Sequence, residues 1–295
     1  MIAQNALVLN STITGTANLL SEIDVCRSIG FDAIELHGWK LDRYLEAGHD
    51  FADASRALHG IPVVGIGYVA DIERQGTGRE ALLREADRMF EYATAVGARG
   101  VQILSGPVRV EKILAFQKGQ SAADYDALLG LPEDDLLATT AANVAELADR
   151  ADAAGLLLYL EPLAWCPISG VRRAARLIEA AARNNVKLII DFWHCRTAGD
   201  TPEDVAGLPK EMIYGVHVCD GLPFTGGVPV ESVLRDVPTG EGVIDLKIWV
   251  DAVRSTGYVG WWAAETFSRK MQQQPPAKIA SEMHALLGRL LGLRS

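Results

Sequence analysis

Short aliphatic runs alternate along this chain with longer segments whose apolar residues recur every three or four positions. The short runs read as buried strands, and the longer segments as helices that bury one stripe. A unit recurs in which a helical pattern ends in a small residue plus Gly and a strand follows. It appears as SIG-FDAIEL (Ser28 to Leu36), LHG-IPVVGI (Leu58 to Ile66), VGARG-VQIL (Val96 to Leu104) and AAG-LLLYLE (Ala153 to Glu161). It returns as RNN-VKLIID (Arg183 to Asp191), EMIYGVH (Glu211 to His217) and STGYVG-WWAAE (Ser255 to Glu265). Gly, or Asn in the RNN copy, supplies the left-handed cap that ends a helix before the chain turns into a strand. With ALVLN (Ala6 to Asn10) as the first, the strands number eight.

The helical patterns between them include ANLLSEIDVCRSI, REALLREADRMFEYATAV, DDLLATTAANVAELADRADAA, VRRAARLIEAAAR and LKIWVDAVRST. Strands alternating with helices imply parallel pairing through right-handed crossovers, and eight such units close a (β/α)8 TIM barrel. A doubly wound open sheet is the alternative, but NSTITGTAN after the first strand lacks the G-x-G-x-x-G phosphate loop. No Pro-rich or Ser/Gly-rich linker divides the chain, so residues 1–295 read as a single TIM-barrel domain. Two connections are long, about 105–132, with a short helix expected around Glu111 to Lys118, and about 218–242. Connections that follow strands form the active-site face of this fold, so both should overhang the mouth.

Composition narrows the function class. Apolar residues make up 49% and charged residues 22%, enough to bury a sizeable core. A net charge of −10 argues against nucleic acid or an anionic membrane as partner, since both call for clustered Lys and Arg. The N-terminal stretch lacks a signal-peptide pattern and no apolar run spans a bilayer, so the chain reads as soluble and cytoplasmic. Cys26, Cys166, Cys195 and Cys219 show no C-x-x-C spacing and read as reduced core thiols. A homo-oligomer is compatible with this pattern.

Aligning the strands by their carboxyl ends brings four polar residues into register: Glu161 on the fifth, Asp191 on the sixth, His217 on the seventh and Glu265 on the eighth. Three carboxylates on one side of a barrel mouth repel one another unless a cation binds them. Two Glu, one Asp and one His suit one divalent cation, with Mn2+ the first candidate and Mg2+, Co2+ or Zn2+ the others.

The stretches LYLEPL, IIDFWH, GVHVCDG and WWAAETF resemble the metal-site signatures of the xylose-isomerase-like TIM barrels, the sugar phosphate isomerase/epimerase group. The similarity runs from GFDAIEL to GYVGWWAAE. The resemblance implies that Glu161, Asp191, His217 and Glu265 hold the cation, and that His194, in D-x-x-H, and Arg235, ahead of PTGEG, contact a sugar or keto-polyol substrate. Such a cation polarises a carbonyl and stabilises an enediolate, while Glu161 and Glu265, at the two ends of the ligand arc, move the proton. An isomerase or epimerase is the reaction class implied, and an inosose- or keto-sugar-type dehydratase is the alternative, because it shares the first step. Ketose 3-epimerases of this group carry another carboxylate shortly after the first metal Glu. LAWCPIS offers none, which weighs against 3-epimerisation specifically. The related endonuclease IV needs several further His ligands, and this acidic chain has six His in all, with His49, His59 and His284 in helical or loop stretches. A sugar-binding barrel without catalysis is the reading from another class, and the intact set of four argues against it.

Further candidates come from strand alternation. Glu35 and His37 of AIELHG share a face directed at the mouth and are candidate sugar contacts, with ordinary loop polar residues the equal alternative. In VPTGEGVID, Glu241 reaches either a substrate hydroxyl or Arg235, or else the segment is a helix-start turn with Asp245 as N-cap. Trp39, Trp165, Trp193, Trp261 and Trp262 cluster near strand ends as an aromatic wall, with Trp261 and Trp262 better suited to core packing.

Overall fold

The structure, a computed structural model, describes residues 3–293. The strands are β1 (Ala6–Asn10), β2 (Ala33–His37), β3 (Val63–Val69), β4 (Gly100–Leu104), β5 (Leu157–Glu161), β6 (Val186–Asp191), β7 (Ile213–Val218) and β8 (Trp261–Ala264). They pair in parallel in chain order and close, β8 lying beside β1 with Val8 opposite Ala263. Closure excludes the open doubly wound sheet, and the fold is a (β/α)8 TIM barrel. Helices Leu19–Ile29, Thr77–Ala95, Glu133–Ala153, Val171–Ala181 and Leu246–Ser255 occupy the segments whose periodicity predicts them. Gly30, Gly60, Gly97, Gly155 and Gly257 all take positive φ ahead of their strands. In the RNN copy the left-handed residue is Ala182, at φ 52°, two residues before the Asn pair. Several helices escape the periodicity argument, among them Gly38–Glu46, Phe51–Ala57, Phe192–Ala198 and Pro276–Leu291. Phe192–Ala198 directly follows β6, and Pro276–Leu291 packs against β8 and the first helix.

Alternation sorts each strand into two faces. Leu158, Leu160, Leu188, Ile190, Trp262 and Ala264 pack outward against helices, while Ala6, Val8, Ala33, Tyr159, Ile189 and Trp261 fill the interior. Gly65 and Gly215 make room for that interior layer, because a Cβ at either would collide with the Tyr159 or Trp261 ring. Above it the inward positions turn polar: Asn10, Glu35, Gln102, Glu161, Asp191 and His217, joined by Glu265 just past β8, all 5% exposed or less. Trp261 and Trp262 are core residues, and all four cysteines are free and buried. Among the described residues no helix is long and apolar enough to cross a membrane.

The two long connections carry their own structure. The β4 connection contains helices Val110–Gln117 and Asp126–Leu129, and the β7 connection a single turn, Glu231–Leu234. Two carboxylates after β3 hold the β4 connection down: Asp71 accepts from the Val108 N–H at 2.7 Å, and Glu73 from the Gly106 N–H at 2.9 Å and the Tyr125 hydroxyl at 3.5 Å. Burial pushes the Glu73 carboxyl from its ordinary 4.5 up to about 8. Between those values the folded protein therefore holds a proton that the unfolded chain releases. This contribution to stability is complete below about 4.5 and is lost as pH rises through about 8. The thermal-stability advantage of the wild type over Glu73→Gln should accordingly shrink as pH is raised from about 4.5 to about 8, followed by melting curves of both proteins. A difference that stays flat over that range would show that Glu73 is not buried neutral.

Candidate metal centre

β5, β6 and β7 and the residue after β8 deliver Glu161, Asp191, His217 and Glu265 to one spot at the carboxyl end of the barrel. The register that aligns them is set by parallel pairing, which places Asp191 opposite His217 and His217 opposite Ala263. One ligand atom from each lies within 4.8 Å of the others. His217 is the hub, with Nδ1 3.3 Å from Glu161 Oε1 and 3.4 Å from Glu265 Oε1.

The opposite ring nitrogen explains the orientation. His217 Nε2 sits 2.9 Å from Glu35 Oε2, which also accepts from Asn10 Nδ2 at 2.7 Å. A carboxylate at Nε2 keeps a hydrogen there, so a cation could take the Nδ1 side in place of the proton shared with Glu161 and Glu265. Glu35 thus stands behind the imidazole, with little access to a sugar, which differs from its expected place as a substrate contact. Burial would raise the Glu35 carboxyl, but His217, with Asn10 and Tyr159, holds it below its usual range.

Asp191 is fixed from two sides. As N-cap of helix Phe192–Ala198 it accepts from the His194 N–H at 2.6 Å, and its other oxygen lies 3.3 Å from Arg235 Nη2. Burial works against ionisation, and Arg235, then His194 and His217, overcome it, so Asp191 stays a carboxylate well below its ordinary value. Glu161 Oε2 accepts from Gln102 Nε2 at 2.6 Å. Glu265 Oε2 lies 2.8 Å from Arg235 Nη2, yet burial, reinforced by Glu161 and Asp191, pushes this carboxyl up to about 8. Burial alone would strip the His217 proton, but Glu265, Glu35 and Glu161 raise its pKa well above the usual value. Such crowding of carboxylates around an imidazole is what a divalent cation at the centre would relieve, replacing the shared proton with two positive charges. The donor set of Glu161, Asp191, His217 and Glu265 is one that could hold such a cation.

Above the cluster opens a cleft of about 290 Å³, bordered by Glu161, Glu265, His37, His194 and Arg235 together with Trp39, Tyr68, Trp165 and Phe267. His194 Nδ1 accepts the Ala164 N–H at 3.1 Å, so its hydrogen sits on Nε2. His37 Nδ1 lies 3.3 Å from Trp39 Nε1. Trp39 and Trp165 line the cleft as the aromatic-wall reading expects. Trp193 is instead fully buried, its ring 5.2 Å from the Arg235 guanidinium. Glu241 is placed elsewhere: it borders a separate hollow with Lys270 and Glu282. The PTGEG turn is organised by Asp220, whose carboxylate accepts the Gly240, Gly242 and Ile244 N–H groups at 3.2, 2.8 and 3.0 Å, and Asp245 caps the next helix. A Cβ at Gly242 would collide with Asp220. Sequence reasoning also passed over Asn10, Gln102 and Glu231. Strand alternation points to the first two, whereas nothing local marks Glu231.

A parallel barrel with buried carboxylates and an imidazole gathered at its carboxyl mouth has the architecture of a TIM-barrel enzyme with a polar centre. The chain belongs to the xylose isomerase-like TIM barrel family, whose model matches residues 23–289. An inosose isomerase of Bacillus velezensis is 25% identical over 264 residues, 87% of this chain and 86% of that protein. A 3-dehydroshikimate dehydratase of Pseudomonas aeruginosa is 26% identical over 269 residues, 90% of this chain and 38% of that protein. The crystal structure of an IOLI protein with a bound zinc atom superposes with a TM-score of 0.85 at 19% identity, covering 97% of this chain and 98% of that one.

Arg235 is 2% exposed and faces Asp191, Glu265 and Glu231 at once. Removing one partner of such a buried set leaves charges uncompensated, at a cost of about 3–5 kcal/mol. Arg235→Met should lose about that much stability in urea unfolding with a chelator present, and a loss under about 1 kcal/mol would show that the guanidinium does not balance the cluster.

Proposed function

We propose that this protein is a divalent-metal-dependent isomerase or epimerase of sugars or keto-polyols, acting by proton transfer next to a carbonyl. The observation that carries the reading is the convergence of the Glu161, Asp191, His217 and Glu265 donor atoms within 4.8 Å beneath a cleft of monosaccharide size. When bound there, a divalent cation supplies Lewis acidity that makes a carbon acid next to a carbonyl accessible near neutral pH.

The chain's own residues supply the rest. Glu161 and Glu265 flank His217 and both border the cleft, so one takes the proton from the substrate carbon and the other returns it from the opposite side. Gln102 steadies Glu161 and Arg235 steadies Glu265. Positioning of this kind keeps each carboxylate oxygen aimed rather than free to rotate. His194 and His37 offer ring nitrogens to substrate hydroxyls, and the rings of Trp39, Tyr68, Trp165 and Phe267 cover C–H faces and exclude water. A zinc-bound structural neighbour and an inosose isomerase among the relatives support the reading.

A dehydratase is the second reading. It is favoured by the 3-dehydroshikimate dehydratase relative and by His194, which borders the cleft and whose Nε2–H can donate a hydrogen bond to a departing hydroxyl. Both reactions begin with the same proton removal.

Elemental analysis should find about one divalent cation per chain, lost in Asp191→Asn and in His217→Ala. Full metal retention in either variant would sink the assignment. In D2O, an active ketose or inosose should acquire deuterium at carbon, and Glu161→Gln and Glu265→Gln should slow this by about 10²–10⁴-fold at matched cation content. Elimination products without exchange would favour the dehydratase.

A further inference from the structure

The cleft contains a carboxylate that none of these steps uses. Glu231, at the start of the turn Glu231–Leu234, borders the cleft with its side chain 30% exposed. Its Oε1 lies 3.0 Å from Arg235 Nη1 and 3.9 Å from His194 Nε2. Arg235 is the one Lys or Arg bordering the cleft among the described residues. Its terminal nitrogens are already committed, Nη1 to Glu231 and Nη2 to Asp191 and Glu265, and the guanidinium is sandwiched by the Trp193 and Phe267 rings at 5.2 and 4.1 Å. What remains is a buried Nε–H without a partner and the second hydrogen of Nη1.

A phosphate ester requires the opposite arrangement, a guanidinium fork or ammonium free to meet a dianion. Here Glu35, Glu161, Asp191, Glu231 and Glu265 gather around one guanidinium and the imidazoles of His37, His194 and His217; the guanidinium is the one permanent positive charge, and with a bound divalent cation it sets three positive charges against five carboxylates. A dianion entering such a site is repelled. A neutral polyol is served well: its hydroxyls donate to the free edge of Glu231, and its C–H faces meet the rings of Trp39, Tyr68, Trp165 and Phe267. At about 290 Å³ the cleft sits at the small end of ligand sites, which run from about 300 Å³ upward, and matches a single ring without an added phosphate.

We infer, building on the isomerase or epimerase reading, that the substrate is an unphosphorylated, single-ring keto-polyol or ketose, and that Glu231 is the specificity-determining residue that accepts its hydroxyls and turns away the phosphate ester.

Calorimetric titration of the cation-loaded full chain with L-ribulose, an inosose and L-ribulose 5-phosphate tests this, because two of the probes differ only in the phosphate. At least one neutral probe should bind about tenfold or more tightly than the ester. Glu231→Gln, nearly the same shape, should weaken the neutral probe about tenfold, and Glu231→Lys should bring the ester to parity or better. Wild-type binding of the ester as tightly as the neutral probes, or binding of no neutral probe, overturns the inference. Unchanged neutral-probe affinity in Glu231→Gln overturns the role of Glu231. Deuterium exchange is scored separately. Neutral binding that discriminates against the ester, without exchange, discards the isomerase reading while the specificity stands.

Discussion

One imidazole shared among carboxylates is the constraint around which the mouth of this barrel is arranged. His217 lies within 3.4 Å of oxygens from Glu35, Glu161 and Glu265, and all of these groups are buried. Two unit charges about 4 Å apart at an effective dielectric of about 20 interact by about 4 kcal/mol, so clustered carboxylates oppose folding unless counter-charge sits among them. Arg235 provides part of it, from a loop rather than from a strand. The remainder is where a divalent cation belongs, which is why the donor chemistry points to a metal more strongly than any single residue does.

The imidazole is also the end of a chain of contacts that reaches the helical layer. Glu35 holds its Nε2, Asn10 holds Glu35, and Ser11, next in sequence, gives its hydroxyl to Glu22 Oε1 at 2.6 Å. Glu22 in turn is paired with Lys40, and the Lys40 ammonium also donates to the Thr14 carbonyl at 2.8 Å. Both charges are wholly buried, so loss of either one strands the other without water. Helices Leu19–Ile29 and Gly38–Glu46 are thereby coupled to the ring orientation at the barrel axis. A ligand set supported in this way has its geometry before any ligand arrives.

How much of this is legible in the sequence depends on whether a residue lies on a strand or a loop. On strands, a period of two decides which way a side chain points, and parallel register decides its height. Glu161, Asp191, His217 and Glu265 could therefore be grouped from spacing alone, and Asn10 and Gln102 follow from the same logic. That logic names the face and stops short of the partner: Glu35 is on the inward face as expected, but His217 occupies the direction in which a substrate contact would have to point. On loops no such rule exists. Glu241 and Glu231 are both glutamates in the connection after β7, and only the path of the chain, clasped by Asp220, sends one to a separate hollow and the other over the cleft. The helix after β6 was hidden for a related reason. FWHCRTA is too short to show a period, and it is stabilised by Asp191 at its N-cap and Gly199, at φ 95°, at its end.

This division has a functional side. Residues on strand ends are held by the barrel's hydrogen-bond ladder, so the groups proposed to hold a cation and move a proton inherit the rigidity of the sheet. Glu231, Phe267, Val108 and Trp165 reach the cleft from connections that can change length without disturbing the ladder. Arg235 joins the two layers, since its Nη2 balances Asp191 and Glu265 while its Nη1 fixes Glu231. A change of substrate that required a free cation in the cleft would have to take Arg235 away from that balance, and so would unsettle the metal centre beneath it.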